Sequence, residues 1–130
     1  MPSFSQRSAE RLATCDPRLR LVFAEVVEHF DCSILEGHRS NERQAQMKAE
    51  GRSQLGPGES KHNHMPSLAV DVAPYPIDWN DRDRWMRFSG FVLGVARAHG
   101  IALRWGGDWD RDWDVADNRF NDWPHFEIVA

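Results

Sequence analysis

The chain has 130 residues and a formal charge of −4 at pH 7, with 41% hydrophobic and 28% charged residues. This length and composition are typical of one folded domain, taken here as residues 1–130, and they exclude a largely disordered chain. The sequence contains no apolar run of membrane-spanning length and no Lys/Arg cluster for a nucleic-acid groove. Its first residues also lack the apolar stretch of a secretory signal, so we expect synthesis in the cytoplasm.

Apolar periodicity and end signals predict four helices and four short strands. The helices are expected at residues 8–12, 17–30, 41–50 and 81–100, with Asp16 as one N-cap and Asn80 or Asp81 as another. The strands are expected at 32–37, 68–73, 101–105 and 125–129. Because helices and strands do not alternate regularly, the pattern favours an α+β fold with a short antiparallel sheet and flanking helices.

Asp71 is an acid inside an otherwise apolar predicted strand, where an unpaired carboxylate would be costly. Backbone amides or an Arg could balance its charge, and so could a bound ion. His62 and His64 lie in the loop before this strand, while Asp122 and His125 lie at a later loop-to-strand junction. Two imidazoles and one carboxylate are a ligand set of catalytic zinc sites. The spacing alone also fits ordinary core or surface histidines.

Four motifs occur in order along almost the whole chain. They are EGHRS at 36–40 followed by Gln44, SKHNHMPSLAVD at 60–71, WGGD at 105–108, and DWPHFE at 122–127. Together they resemble the Arg-Ser…Gln, Ser-x-His…Ala-x-Asp, Trp-Gly-Gly and acid-x-x-His motifs of one zinc peptidase family. That family includes D-alanyl-D-alanine carboxypeptidases and phage L-alanyl-D-glutamate peptidases, and the likeness is greatest to short phage endolysins.

The resemblance implies a single catalytic Zn²⁺ bound by His62, Asp71 and His125. It also implies that Asp122 is the catalytic acid/base and that Arg39 lies near the substrate carbonyl. A nearby cation lowers the pKa of an Asp, so we expect the basic form of Asp122 to dominate. The charged guanidinium of Arg39 would stabilise the developing oxyanion or bind a substrate carboxylate.

The choice between two histidines remains open from the sequence. The motif at 60–71 is longer than usual and lacks its glycine. His62 follows Ser60 by two residues, as the motif requires, whereas His64 has the more usual separation from Asp71. We take His62 as the ligand and His64 as the alternative, or as a neighbour that hydrogen-bonds to the ligands.

The same resemblance places Arg39, Ser40, Gln44 and Trp105 in the substrate-binding cleft, with Trp105 on its floor. Simpler interpretations exist for two of them. Arg39 could be a surface arginine paired with Glu36 or Glu42, and Ser40 could be the N-cap of the helix that follows.

An acidic run lies between residues 108 and 117. Its carboxylates belong to Asp108, Asp110, Asp112, Asp114 and Asp117. Oxygen-rich loops bind Ca²⁺, and some relatives have a calcium-responsive loop, so a calcium site at Asp108–Asp117 is a hypothesis. The run lacks the glycine and closing glutamate of an EF-hand, and a solvated acidic loop is the alternative.

We therefore predict a zinc-dependent, endolysin-like peptidase that hydrolyses the L-alanyl-D-glutamate bond of peptidoglycan stems and lyses the bacteriophage's host. Its partner is the bacterial cell wall, which it reaches after release from the host cytoplasm, and we expect a monomer. The alternatives are a D,D- or L,D-carboxypeptidase and a catalytically inactive wall-binding module. An intact Asp122 counts against the second, since binding alone needs no proton-transfer group.

Overall fold

The structure, a computed structural model, describes residues 2–114 and 122–129. Helices and strands are mixed along this part of the chain. The elements are α1 (Gln6–Leu12), α2 (Pro17–His29), β1 (Cys32–Glu36), α3 (Asn41–Ala49), a 3-10 turn (Lys61–Asn63), β2 (Ala69–Pro74), α4 (Arg82–Ala98), β3 (Leu103–Gly106) and β4 (Asp122–Ile128). The predicted α+β class is confirmed.

The strands form one antiparallel sheet in the order β1-β2-β4-β3. β2 and β4 are the central pair, and their register places Asp71 opposite His125. β3 is at the edge next to β4, with Trp105 opposite Phe126. The sheet therefore brings two distant motifs of the sequence side by side at its centre.

Strand alternation gives the sheet two different faces. One face packs on helices α2 and α4 and forms the core, where Phe126 makes edge-to-face contacts with Phe23 and Phe88 at 5.6 and 6.2 Å between ring centroids. The other face, here called the site face, carries Asp71, His125 and Glu127. The polar side chains Asp71, His125 and Glu127 thus share one face, while their strand neighbours Val70, Val72, Phe126 and Ile128 are buried on the other.

All the predicted helices and strands are present, and several of their boundaries shift by one to three residues. α1 begins at Gln6 because the Ser5 hydroxyl accepts the Ser8 amide at 3.1 Å, while the Ser8 hydroxyl accepts the amide of Ile34. A single 3-10 turn occupies part of the predicted loop 52–67. β4 begins at Asp122, three residues earlier than expected.

The predicted caps at Asp16 and Asp81 are present. Asp16 accepts the Arg18 amide at 2.9 Å, and Asp81 accepts the Arg84 amide at 3.2 Å. Both helices therefore begin where their capping side chains satisfy an unpaired amide. Within the described residues, none of the helices has the length and apolar character required to cross a membrane.

Candidate metal centre

The candidate site lies where β2, β4 and the 3-10 turn meet on the site face. Asp71 Oδ1 is 3.3 Å from His62 Nε2 and 3.3 Å from His125 Nδ1. One ligand atom from each of these three residues lies within 4.8 Å of the other two. The fold therefore brings together the three side chains that the sequence predicted as a group.

Both imidazoles are anchored through the nitrogen that faces away from Asp71. His62 Nδ1 lies 2.8 Å from the carbonyl oxygen of Gly37, and His125 Nε2 lies 2.8 Å from Glu127 Oε1. Each of these partners is an acceptor, so each outer nitrogen carries the proton and donates it. The inner nitrogens of a neutral pair then direct their lone pairs towards Asp71.

This donor set fits a metal ion. His62 Nε2 and Asp71 Oδ1 are buried and have no hydrogen-bond partner among the described residues. Lone pairs gathered in a buried space repel one another unless a cation or protons lie between them. Two imidazole nitrogens and one carboxylate oxygen make up a three-ligand set of catalytic Zn²⁺ sites.

In the absence of a bound cation, the charges within this cluster shift the pKa values of His125 and Asp71. Burial acts to lower the pKa of His125, but Asp71 and Glu127 outweigh it and raise that pKa to about 9. Burial acts to raise the pKa of Asp71, but His125 and His62 outweigh it and lower that pKa. A proton on His125 thus takes the place of positive charge that a metal would supply.

Asp122 lies at the start of β4, close enough to feel the charges of Asp71 and His125. Burial and the negative charge of Asp71 raise its pKa above the ordinary value. This direction is opposite to the lowered pKa expected beside a bound cation, because the described neighbours add desolvation and negative charge. A bound metal ion would act in the lowering direction.

Arg39 is buried and held by its neighbours. Its Nε donates to Glu36, and its Nη1 donates to Gln44 Oε1 at 2.9 Å. Its Nη2 lies 4.0 Å from Asp71 Oδ2, so the guanidinium borders the cluster. Arg39 therefore pairs with Glu36 but is buried and not on the surface, and its location near the substrate carbonyl stays a prediction.

Gln44 and Ser40 both form hydrogen bonds with nearby residues of the protein. Gln44 is fully buried and binds Arg39 through its oxygen, while its amide nitrogen donates to Ser53 Oγ and the Leu55 carbonyl. The Ser40 hydroxyl is the N-cap of α3 and accepts the Arg43 amide at 3.0 Å. Substrate contact by either residue stays a prediction.

Trp105 differs from its predicted place on the floor of the site. It shares the core face with Phe126 and is 4% exposed, and its Nε1 donates to the Trp123 carbonyl at 2.6 Å. A Cβ at Gly107 would lie 2.4 Å from the Trp105 ring. The tryptophan therefore supports the Trp-Gly-Gly turn from the core side, because strand alternation turns it away from Asp71.

The two candidate histidines occupy different environments. His62 is 2% exposed and belongs to the 3-10 turn, whose capping serine is Ser60. His64 is exposed and does not join the cluster formed by the described residues. The geometry favours His62 over His64 as a ligand.

The sequence analysis missed two residues that touch His125. Glu127 binds its Nε2, and the ring of Trp109 lies 5.4 Å from the His125 ring, centroid to centroid. Burial acts to raise the pKa of Glu127, but His125 and Lys61 outweigh it and lower that pKa. The two-residue period of a strand could have identified Glu127 from His125, whereas Trp109 reaches the site from a loop.

The acidic run forms a second carboxylate group. Asp108, Asp110 and Asp112 bring oxygens within 4.8 Å of one another, while Asp117 lies outside the described residues. The two carboxylate oxygens of Asp108 accept the amides of Asp112 and Trp113, at 3.3 and 2.7 Å. The Asp108 carboxylate therefore accepts backbone amides of its own turn, which gives it a structural role. None of these observations supports calcium binding.

Comparisons with known proteins show which family the chain resembles. Residues 2–129 match the family described as phage L-alanyl-D-glutamate peptidase. The chain is 34% identical to the L-alanyl-D-glutamate peptidase of Escherichia phage T5, with 97% of each protein covered. It is 30% identical to the peptidoglycan L-alanyl-D-glutamate endopeptidase CwlK of Bacillus subtilis (strain 168), over 76% of this chain and 61% of that protein.

A solved structure shares the fold. The crystal structure of the Serratia marcescens L-Ala D-Glu endopeptidase ChiX superimposes with a TM-score of 0.77 at 30% identity, covering 98% of this chain and 91% of that one. The predicted relationship and the predicted peptidase activity are confirmed by these matches. The chain belongs to the phage L-alanyl-D-glutamate peptidase family.

Proposed function

We propose that this protein is a zinc-dependent peptidase that cleaves the L-alanyl-D-glutamate bond in the peptide stems of bacterial peptidoglycan. The observation that carries the proposal is the convergence of His62 Nε2, Asp71 Oδ1 and His125 Nδ1 within 4.8 Å. The names of the relatives support the choice of the L-alanyl-D-glutamate bond as the one that is cleaved. The two imidazole nitrogens and the carboxylate oxygen support zinc as the bound metal. In a phage, such an enzyme would act on the host cell wall.

His62, Asp71 and His125 would hold the metal, with the proton of each imidazole on its outer nitrogen. A zinc ion bound by three protein ligands polarises a carbonyl oxygen and lowers the pKa of water to about 7. The contacts of His62 with Gly37 and of His125 with Glu127 fix both rings before any ligand arrives. Little reorganisation would therefore accompany metal binding.

Asp122 would transfer the protons of the reaction. It is part of β4 but not of the three-residue ligand group, so its carboxylate is free to gain and lose a proton. It would take a proton from the attacking water and deliver it to the leaving amine.

Arg39 would stabilise negative charge on the substrate. Its contacts with Glu36 and Gln44 fix the guanidinium at the border of the cluster, 4.0 Å from Asp71 Oδ2. A fixed, permanently charged donor costs no reorganisation when an oxyanion forms. Gln44 would act through Arg39, because its own polar atoms bind Arg39, Ser53 and Leu55.

Mass spectrometry of fragments released from purified peptidoglycan tests the activity and the bond together. We expect peptides with a new amino-terminal D-glutamate, together with glycan that retains only L-alanine. A chelator should abolish release, and added Zn²⁺ should restore it. Loss of terminal D-alanine alone would indicate a carboxypeptidase, and wall binding without any fragment would indicate an inactive binding module.

A further inference from the structure

Glu127 is a charged residue on the site face that takes no part in the proton transfers of the proposed reaction. Its side chain is 10% exposed, and its Oε1 lies 2.8 Å from His125 Nε2. The two residues are two positions apart on β4, so strand geometry places them on the same face. A buried carboxylate in this position needs a compensating partner, and one imidazole supplies it only when protonated.

Two cations hold the other oxygen of this carboxylate. Lys61 Nζ lies 3.3 Å and Arg104 Nη1 lies 3.4 Å from Glu127 Oε2. Lys61 immediately precedes His62 in the 3-10 turn and also donates to the Ile128 carbonyl. Arg104 is opposite Glu127 in the register of β3 and β4.

The Lys61–Glu127–Arg104 group, here called the carboxylate clamp, therefore joins three elements. It ties the turn that carries His62 to the strand that carries His125, and it ties that strand to the edge of the sheet. The two cations balance the charge of the Glu127 carboxylate at the oxygen that does not bind His125. An ionised acceptor at this position favours the imidazole tautomer that carries its proton on Nε2.

We propose that Glu127 is a positioning residue for the metal centre, and that the carboxylate clamp holds the His125 ring with its Nδ1 lone pair facing His62 and Asp71. This inference rests on the proposed function, because it requires a metal on that nitrogen. Hydrogen-bond partners of metal-binding histidines typically contribute about 10–100-fold to metal affinity or activity. The clamp supplies that partner for His125.

Zinc affinity measured by competition with a chromogenic chelator tests the clamp without using activity. We expect Glu127→Ala to weaken zinc binding about 10–100-fold. Glu127→Gln should weaken it less, because the amide oxygen still accepts the Nε2 proton. Lys61→Met keeps the aliphatic stem and removes one cation, so it should also produce a smaller loss. The Nε2 proton of His125, observed by NMR in the zinc-loaded protein, should exchange faster in Glu127→Ala.

The chain offers a matched control in a second carboxylate–imidazole pair. Glu25 Oε1 lies 2.9 Å from His99 Nε2 on helices away from the site, so Glu25→Gln should leave zinc affinity unchanged. Equal losses in Glu25→Gln and Glu127→Ala would overturn the inference, as would unchanged affinity in Glu127→Ala. If that variant does not fold, unchanged affinity in both Glu127→Gln and Lys61→Met overturns it. A wild-type protein that binds no zinc would instead overturn the proposed function.

Discussion

Gly106 packs directly against the backbone of Asp122. The two residues are partners in the ladder between β3 and β4, at the point where its register shifts. A Cβ at position 106 would lie 2.0 Å from the Asp122 carbonyl oxygen, which is far inside the van der Waals contact distance. The first glycine of the Trp-Gly-Gly motif is therefore needed to let the strand that carries the proposed acid/base approach the edge strand.

Gly106→Ala should displace the start of β4 and with it Asp122. We expect a destabilisation of about 1–3 kcal/mol, as for other overpacked sites, and a loss of activity that persists where the protein is fully folded. Urea unfolding and peptidoglycan hydrolysis measure the two effects. Gly94→Ala is the control, because this α4 position has open space around it and the change should stabilise the helix by about 0.5–1 kcal/mol. Normal activity in Gly106→Ala would show that the close approach is not required.

Asp122→Asn should separate metal binding from catalysis. The amide keeps the shape of the carboxylate but cannot carry the proton, so we expect turnover to fall about 10²–10⁴-fold. Metal content by elemental analysis should stay at the wild-type value, since Asp122 lies outside the three-residue ligand group. Parallel loss of zinc and activity would make Asp122 a ligand instead.

The sequence predicts the site well where the chemistry depends on residue type. Asp71 is conspicuous because an acid in an apolar strand needs a partner, and the structure supplies it with two imidazoles. His62 and His125 follow from the motifs. The register that places His125 opposite Asp71 could not be predicted, because it depends on which strands are neighbours.

The sequence predicts the contacts of the site less well where they depend on strand pairing or on loops. Pro124 discourages a strand assignment, so the sequence predicts a later start for β4 than the structure shows, although Asp122 pairs with Gly106. The Trp-Gly-Gly motif predicts Trp105 on the site floor, but strand alternation directs its side chain into the core. The contacts of Lys61 and Arg104 with Glu127 join three elements that are distant in the sequence, so no local sequence pattern indicates these contacts.

His62→Ala and His64→Ala form a matched pair that identifies the metal-binding histidine. His62 is buried against Asp71, whereas His64 is exposed two residues later. We expect His62→Ala to lose bound zinc and activity and His64→Ala to keep both. Elemental analysis after gel filtration measures the metal. Zinc loss in His64→Ala with retention in His62→Ala would reverse the assignment.

Arg39→Ala should impair catalysis more than it impairs metal binding. Loss of one donor to a developing oxyanion typically costs about 2.7–4 kcal/mol of transition-state stabilisation. Removal of the guanidinium also leaves Gln44 Oε1 buried without this partner, so folding must be checked by circular dichroism. Arg39→Lys retains the charge but not the planar group held by Glu36 and Gln44, and it should restore little activity. Full activity in Arg39→Lys would show that only the positive charge of Arg39 is required, and not its planar guanidinium.

The stability of the chelator-treated protein should depend on pH through His125 and Asp71. The pKa of His125 is about 9 in this state, above its unfolded value of roughly 6.5, so its contribution is complete below the unfolded value and is lost as the pH rises towards 9. The pKa of Asp71 is lowered, so its contribution is present above its unfolded value and is lost at acid pH. We therefore expect the urea midpoint of the metal-free protein to fall between neutral and alkaline pH.

Bound zinc should remove this alkaline trend. A metal ligand must be deprotonated, so zinc competes with the proton on His125 and its affinity rises with pH. This rise offsets the loss seen in the metal-free protein, so the stability of the zinc-loaded protein should stay level over the same range. His125→Gln removes the titrating group together with one proposed ligand, so its chelator-treated urea midpoint should vary less between neutral and alkaline pH than that of the wild type. A metal-free wild-type midpoint that does not fall over this range, or an unchanged slope in His125→Gln, would assign the dependence to another group.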